Sequence, residues 1–330
     1  MHYLKSLLAV VLVVGVVGLV AARAPRDNGG GGSFLDGAWG FSSAQGVFDR
    51  TLNVSGPVDL EIRTGSGHIS VRRGDSSAVV VHAIVKARDS YGRSAEERLQ
   101  DIIKNPPIEQ NGNSIVIGRF HDEERGNNVS ISYEITTPAQ TRLNSHTGSG
   151  GQDIDGVQGP VEAKAGSGSI HVNNVGGDVN AHTGSGGVDA NNIQGGLRAS
   201  AGSGTIRASN VGTASSNAMA NTIDVGTGSG GIRLENVRGA LRASAGSGHI
   251  SAGGQMAGEW NLRTGSGGVE VRLPADAAFD LDAHTGSGSL NIGPPVTIQG
   301  QIGRREIRGK VRGGGSLLYV HTGSGGITVE

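Results

Sequence analysis

The feature that most constrains this 330-residue chain is a three-residue motif, Gly-Ser-Gly, which occurs ten times. From the second copy onward, successive copies are 18, 18, 18, 26, 18, 19, 21 and 37 residues apart, which indicates a repeated unit of about 18 residues. The 26-residue interval indicates an insertion at 213–221, and the 37-residue interval predicts two units, one of which lacks the triplet. The copies begin at Gly65, Gly148, Gly166, Gly184, Gly202, Gly228, Gly246, Gly265, Gly286 and Gly323.

The residues on both sides of the triplet alternate between apolar and polar types. The third residue before each triplet is small or apolar, the second is mostly polar, and apolar residues resume four and six positions after the first glycine, with an exception at Gln152. This alternation is typical of a half-buried strand. The fifth residue before the triplet is apolar in all ten copies: Leu60, Leu143, Val161, Val179, Leu197, Ile223, Leu241, Trp260, Leu281 and Leu318.

Each unit therefore predicts two short strands, joined by the triplet at one corner and by a turn such as NNVGG at the other. Stacked units of this kind form an all-β parallel β-solenoid, with equivalent residues about 4.8 Å apart along the stack. Composition agrees with this architecture. Glycine supplies 59 residues and aromatics only 3%, so stacking must provide the burial that large aromatic side chains provide in other cores.

The chain before the regular array predicts a cap for one end of the stack. The segment SAEERLQDIIKNPP begins with a capping box formed by Ser94 and Glu97, and the two prolines end the helix. Alternating strands are predicted around it at 77–88, 114–120 and 128–138. We expect a helix-containing N-terminal part at 43–142 and the repetitive solenoid at 143–330, because a solenoid needs its open ends covered.

The first residues indicate export. Lys5 precedes an uncharged apolar run of 17 residues, Ser6 to Ala22, and Ala22-Arg23-Ala24 fits a signal-peptidase site, although Pro25 follows it directly. Residues 1–24 are therefore predicted to be a cleaved signal peptide or a retained membrane anchor, and 25–42 a glycine-rich flexible linker. The expected location is the periplasm, the outer face of the inner membrane or the cell surface.

The triplet serines are interpreted as structural corners. A nucleophile elbow and a phosphate-binding loop both need flanking residues that are absent here. The flanking glycines permit positive φ or close contact between coils, and a turn serine can hydrogen-bond nearby backbone groups. The serines in question are Ser66, Ser149, Ser167, Ser185, Ser203, Ser229, Ser247, Ser266, Ser287 and Ser324.

Two outward columns invite a functional interpretation. Asp280, Asp282 and His284 alternate outward, but residues of their columns, Asn144, Glu162, Asn180 and Arg198, are so mixed in charge that a solvated face is favoured. His146 and His182 share another column two coils apart, about 10 Å, which is too far for one metal ion.

A basic segment near the end of the chain is the one candidate contact site. It could bind an anionic envelope polymer or phospholipid head groups. An edge strand guarded by its charges is the competing interpretation. The segment carries Arg304, Arg305, Arg308, Lys310 and Arg312.

Several classes are disfavoured by composition. The net charge of -1 argues against a nucleic-acid binder. With zero cysteines the chain has no disulfide, thiolate metal site or cysteine nucleophile. No cofactor or metal is expected, and the membrane is expected to be contacted only through the N-terminal segment.

One family resemblance follows from these segments. The run from Val129 to Val179, which opens VSISYEITTP and leads into the repeats, resembles the bacterial putative-adhesin family of β-strand-repeat proteins, as do the helix SAEERLQDIIKN and the late IRGKVRGGGSLLYVHTGSGGITVE. The resemblance covers 47–330. It implies an exported, non-enzymatic envelope protein with a domain of unknown function, and it transfers no functional residue because the family has no established site motif.

We therefore expect an exported structural and interaction module that presents repeated polar columns to glycan, envelope polymer or another protein. Two alternatives stay open. A polysaccharide-acting β-helix enzyme would need clustered carboxylates and aromatic platforms, which are sparse here. A calcium-binding repeat protein is suggested by GSGGQD and GSGGVD, although their aspartate position becomes Arg233, Ser251 and Glu270 in other units.

Overall fold

The structure is a computed structural model. The predicted signal or anchor at 1–24, the linker up to residue 41 and the insertion at 213–221 lie outside the residues it describes. None of the helices within the described ranges is long and apolar enough to cross a membrane. The described residues are 42–75, 77–90, 92–212, 222–298 and 303–330.

Nearly every element is a strand. The described ranges contain two helices, α1 (Ala95–Lys104) and α2 (Glu123–Gly126). The strands are β1 (Ser43–Asn53), β2 (Val58–Thr64), β3 (Ile69–Gly74), β4 (Ala78–Arg88), β5 (Ile108–Asn111), β6 (Ser114–Ile117), β7 (Val129–Pro138), β8 (Thr141–Thr147), β9 (Gln152–Asp155), β10 (Val161–Ala165), β11 (Ile170–Val175), β12 (Val179–Thr183), β13 (Val188–Ile193), β14 (Leu197–Ala201), β15 (Ile206–Val211), β16 (Thr222–Thr227), β17 (Ile232–Ala245), β18 (Ile250–Ser266), β19 (Val269–Arg272), β20 (Phe279–Ser287), β21 (Leu290–Ile292), β22 (Val296–Ile298), β23 (Glu306–Val311), β24 (Ser316–Ser324) and β25 (Ile327–Val329).

These strands stack into two mostly parallel sheets, which confirms the predicted β-solenoid. Sheet 1 runs β5-β6-β2-β8-β10-β12-β14-β16-β17-β18-β24-β20-β23-β22, and sheet 2 runs β1-β4-β7-β3-β9-β11-β13-β15-β17-β18-β19-β25-β21. β17 and β18 are long strands that each contribute to both sheets. We number the coils by their position in the stack, from coil 1 (β2 and β3) and coil 2 (β8 and β9) to coil 10 (β20 and β21).

The core lies between the two sheets and is made of aliphatic ladders. Every residue at the fifth position before a triplet is at most 2% exposed, including Trp260, whose ring nitrogen donates to the Gly239 carbonyl at 3.0 Å. Gln152, the polar exception in its column, also points inward and is fully buried. It accepts a hydrogen bond from Ser145 at 2.5 Å and donates to the Lys164 carbonyl at 2.6 Å. The pair is therefore satisfied without water.

The triplet corners explain why glycine is needed. A Cβ on Gly166 would lie 2.4 Å from the Gly148 carbonyl oxygen, and one on Gly168 would lie 1.7 Å from that of Gly150. The same backbone contact recurs along the stack, where the serine amide of one coil donates to the first glycine of the coil before it, as Ser167 does to Gly148 at 3.0 Å. Close approach between coils is the main reason for glycine at these positions, and among the triplet glycines Gly267 and Gly325 also have positive φ, at 159° and 153°.

The opposite corner is held by an asparagine ladder. Asn174, Asn192, Asn210 and Asn236 adopt left-handed backbone conformations, with φ between 52° and 56°. Each side-chain amide from Asn192 onward donates to the asparagine of the coil before it, at 2.6 to 3.0 Å. Asn174 donates to Asp155 at 2.7 Å and starts the ladder. Asparagine tolerates this conformation better than most other residues with a side chain. This explains why an asparagine recurs at this position of the turn.

The N-terminal end of the stack is covered as predicted. α1 begins at the capping box of Ser94 and Glu97 and packs on β1 and β4. β4 pairs antiparallel with β7, which closes sheet 2 beyond coil 1. The buried Arg98, which the sequence pattern did not single out, donates to the backbone carbonyls of Glu124 and Asn127.

The C-terminal end corrects one prediction. The 37-residue interval does not hold two coils. After coil 10 the chain forms the antiparallel pair β22 and β23, and β23 covers the outer edge of β20. The chain then returns, and β24 inserts between β18 and β20 as coil 9. At this end the order of the coils along the stack therefore differs from their order in the sequence. The antiparallel pair β22 and β23, and not a further coil, closes the stack.

The glycine contact predicts a large difference between two identical substitutions. Gly166→Ala should lower the free energy of unfolding by about 2 kcal/mol or more, because the new methyl group collides with backbone. Gly65→Ala, at the same triplet position in coil 1, has no neighbouring atom within 4 Å of the added Cβ and should change stability by less than about 1 kcal/mol. Denaturant unfolding of both variants measures the difference, and equal stabilities would contradict the proposed cause.

Candidate functional site

One concave surface in the described part of the chain is an open groove on the outer face of sheet 1. It has a volume of about 670 Å³ and crosses β6, β2, β8, β10, β12, β14 and β16. Seven strands span about 29 Å along the stack. The groove is defined by the side chains Glu61, Arg142, Asn144, Glu162, Asn180 and Arg198.

Strand alternation places these side chains in one line. Asn144, Glu162, Asn180 and Arg198 are in direct register between neighbouring strands, with Glu61 next to Asn144 and Asp224 next to Arg198. Their inward neighbours in each strand are buried aliphatic or small residues, so the column must face outward. The sequence identified this column and interpreted it as a solvated face. β6, from the cap segment, pairs with β2 and lines one end of the groove.

Two acidic side chains of the groove are paired with cations. Glu61 accepts from Arg63 at 2.6 Å and from Arg119 at 2.8 Å. Burial would raise the pKa of Glu61, but the hydrogen bonds and charges of these two arginines outweigh it and hold the pKa below its ordinary value. Glu162 lies 2.5 Å from Lys164 of the same strand. Both carboxylates are thus engaged by cations of this chain.

The groove is also lined by Asp59, Asp178 and Asp224 and by four exposed side chains that donate hydrogen bonds. Arg142, Asn144, Asn180 and Arg198 are exposed, and amide and guanidinium groups offer several hydrogen-bond donors in fixed planes. Such a surface suits a ligand that is long, polar and rich in hydroxyl groups. An apolar small molecule would find little here to bury against.

The triplet serines form a separate ridge. All ten are exposed, and they follow one another along the stack in the order Ser66, Ser149, Ser167, Ser185, Ser203, Ser229, Ser247, Ser266, Ser324 and Ser287. Ser324 and Ser287 come in reverse sequence order because coil 9 is the inserted one. The serines trace a line and do not converge on a pocket.

The hydroxyl that satisfies the backbone is that of threonine and not of serine, which corrects the sequence interpretation. The Thr183 hydroxyl is fully buried, donates to the Gly168 carbonyl of the coil before it at 2.8 Å and accepts from the Gly186 amide at 3.1 Å. Thr147, Thr227, Thr264, Thr322 and Thr285 donate to the equivalent glycine of their neighbouring coil in the same way.

The basic segment lies mainly on β23. There Lys310 is 3.7 Å from Asp280, and Arg308 is 3.3 Å from Asp282 and 2.9 Å from Glu306. Two of its five cations, Lys310 and Arg308, are therefore paired with acids. Asp280 and Asp282, two of those acids, belong to the neighbouring strand β20. Arg304, Arg305 and Arg312 are exposed, and Arg312 donates to the Ala277 carbonyl at 3.3 Å. This placement agrees with an edge strand guarded by its charges.

The outward residues near coils 9 and 10 form a small aromatic patch. The rings of His284 and His321 stack with centroids 5.2 Å apart, and the guanidinium of Arg263 lies 4.9 Å from the centre of the Tyr319 ring. Tyr319 points outward, whereas Trp260 and Phe279 are buried. The patch lies outside the groove.

The remaining histidines and acids do not converge. His146 and His182 are exposed in one column two coils apart, as the sequence predicted. The aspartates of the two calcium-like runs pair with histidines of neighbouring coils, Asp153 with His68 at 2.9 Å and Asp189 with His171 at 3.2 Å. Among the described residues, no three His, Asp or Glu side chains are grouped so that they could hold a metal ion.

By its fold and its groove the protein is a capped β-solenoid with two sheets and a polar groove on its outer face. The chain belongs to the Toastrack DUF4097 family, whose model matches residues 57–330. This match confirms the family resemblance drawn from the sequence. No curated protein matches the chain.

Two solved structures are similar over most of the chain. One is a putative cell adhesion protein from Clostridium sporogenes, 12% identical, with a TM-score of 0.26, covering 87% of this chain and 99% of the other. The second is a putative adhesin from Bacteroides fragilis, 10% identical, with a TM-score of 0.38, covering 86% of this chain and 97% of the other.

The two corner hydroxyls should differ in their effect on stability. Thr183→Ala removes a buried donor that joins two coils and should lower the free energy of unfolding by about 1 to 2 kcal/mol. Ser185→Ala, two residues away on the exposed ridge, should change it by less than about 0.5 kcal/mol. Chemical denaturation of both variants tests this difference, and a larger loss in Ser185→Ala would show that the serine holds the corner.

Proposed function

We propose that this protein is an exported, adhesin-like module of the cell envelope, and that the groove on sheet 1 binds an extended polar polymer such as an envelope glycan. The observation that carries the proposal is the groove itself, an open channel along the stack with a line of exposed Asn and Arg side chains on its floor. A polymer that lies along the stack meets one new outward residue at each coil. Many weak contacts of this kind add up to useful avidity.

The location is part of the proposal. The apolar run from Ser6 to Ala22 and the linker that follows are the support for export, with the folded body in the periplasm, on the outer face of the inner membrane or at the cell surface. A tethered stack would present the groove to polymers within reach of the linker.

Binding is favoured over hydrolysis by the state of the groove carboxylates. A glycosidase needs one carboxyl group that keeps its proton, and so has a raised pKa, beside a second that is ionised. The pKa of Glu61 is lowered by Arg63 and Arg119, and Glu162 is held by Lys164. Both carboxylates are thus engaged by cations of this chain, which suits recognition.

The groove proposal predicts a difference between two arginines of the same column. Arg198 lies in the groove, and Arg242 occupies the equivalent position two coils further along, outside it. Arg198→Ala should weaken binding to membrane-free cell-wall glycan by roughly tenfold, because a charged hydrogen bond to the polymer is lost. Arg242→Ala should leave binding unchanged.

Co-sedimentation of the full-length chain with insoluble cell-wall glycan measures this effect. Membrane-free material is needed because the N-terminal segment can bind lipid by itself. Absence of binding by the unaltered chain, or an equal loss in both variants, would contradict a role for the groove.

A second, weaker contact is proposed for the basic segment. Arg304 and Arg305 are exposed beside the edge strand, and they could attract an anionic polymer through charge alone. Arg304→Glu with Arg305→Glu should then lower binding to anionic wall polymer at low salt, with little effect at high salt. Unchanged binding at low salt would contradict the proposed contact, and the basic segment would then serve only to protect the edge of the sheet.

A further inference from the structure

Over coils 1 to 4 the groove floor alternates between two kinds of coil. In coils 2 and 4, the exposed outward pairs are Asn144 with His146 and Asn180 with His182. In coils 1 and 3, the same two columns hold ion pairs within one strand, Glu61 with Arg63 at 2.6 Å and Glu162 with Lys164 at 2.5 Å. Asn-His coils and ion-paired coils thus alternate along this part of the groove, whereas coils 5 and 6 hold Arg198 and Asp224 in the first column.

We infer that the groove binds its polymer in steps of two coils and therefore selects a β-linked glycan whose repeat is a disaccharide. This inference rests on the proposed function. The two Asn-His coils would be the two subsites, one centred on Asn144 and one on Asn180, and the ion-paired coil between them would separate them.

The spacing of the two subsites is fixed by strand register. β10 lies between β8 and β12, and Glu162 is in direct register with Asn144 on one side and with Asn180 on the other. Two strand spacings separate the asparagines, about 10 Å. The ladder hydrogen bonds of three parallel strands hold this distance, so the subsites are preorganised.

The chemistry of the two kinds of coil differs in what they offer a sugar. An asparagine amide has two donors and an acceptor, which suits vicinal hydroxyl or acetamido groups. The carboxylates of Glu61 and Glu162 are already engaged by cations of their own strands. A hydroxyl group would have to displace those partners, so the strongest new contacts come at every second coil.

A β-(1→4)-linked glycan has the matching symmetry. Each sugar of such a chain is turned by about half a turn relative to its neighbour, so only alternate sugars present the same edge to a flat surface. A chain that lies along the stack would place equivalent groups over Asn144 and Asn180. Helical α-linked glycans do not hold this straight repeat.

The interior of the stack repeats with the same period. From coil 2 to coil 8 the buried residue before the triplet alternates without exception between threonine and alanine. Threonine occurs in the Asn-His coils, and alanine occurs in the ion-paired coil 3 between them. Coil 1, the other ion-paired coil, holds Thr64, so the interior alternation matches the groove surface from coil 2 to coil 4. The residues are Thr147, Ala165, Thr183, Ala201, Thr227, Ala245 and Thr264.

A length series of oligosaccharides tests the inference. Calorimetric titration of the full-length chain with β-(1→4)-linked N-acetylglucosamine oligomers of two to six units should show a step in affinity, by roughly tenfold, between two and three units. Three units are the shortest chain whose first and third sugars reach both subsites. Maltooligosaccharides, which are α-linked, should show no such step at any length.

Three variants assign the step to the subsites. Asn144→Ala and Asn180→Ala should each remove the step and leave the weaker binding of the shortest oligomer within about threefold. Asn261→Ala, an asparagine of the same column in coil 8 and outside the groove, should keep the step. All three side chains lie on the outer face, and thermal unfolding checks that each variant is folded.

Failure of the inference and failure of the proposed function give different results. A smooth rise of affinity with length, a step that survives in Asn144→Ala and Asn180→Ala, or no oligomer binding while wall glycan still sediments the chain would each overturn the two-coil register and leave the groove as a polymer site. No binding to either the oligomers or wall glycan would overturn the proposed function and the register together.

Discussion

The structure depends on the backbone contact between glycines of neighbouring coils. At each triplet corner a carbonyl oxygen of one coil occupies the space that a Cβ of the next coil would need, as Gly148 does for Gly166 at 2.4 Å. This contact lets the chain turn sharply at the corner while the strands of neighbouring coils stay in register in both sheets. Threonine or alanine then points inward beside the corner, and serine points out. Aliphatic ladders fill the interior that this spacing leaves.

The same contact determines what the outer surface can do. Because the coils are held at one spacing, outward residues form columns whose intervals are fixed by strand pairing and not by side-chain packing. Individual outward residues can change without disturbing the core, which accounts for the mixed charges of the groove column. A surface of this kind favours ligands that are themselves repetitive.

Local features of the chain could be predicted from the sequence, and features set by distant pairings could not. The coil length, the inward columns and the capping box of Ser94 and Glu97 all follow from short-range patterns that the structure confirms. The groove could not be predicted, because one end of it is lined by β6, which lies outside the repeat. The insertion of β24 between β18 and β20 likewise depends on pairing with strands that are distant in the sequence. Which hydroxyl bonds to the backbone at the corner could not be predicted, because both serine and threonine can form such bonds in turns.

Distances between corners test the stacked arrangement most directly, and the absence of cysteine from the chain makes site-specific spin labelling simple. With one label at Ser167 and a second at Ser266, Ser324 or Ser287, pulsed electron resonance should give separations close to five, six and seven coil spacings, about 24, 29 and 34 Å. The account predicts that Ser287 is farther from Ser167 than Ser324 is, although Ser287 is nearer in sequence. Separations that do not increase in this order would contradict the stack and its inserted coil.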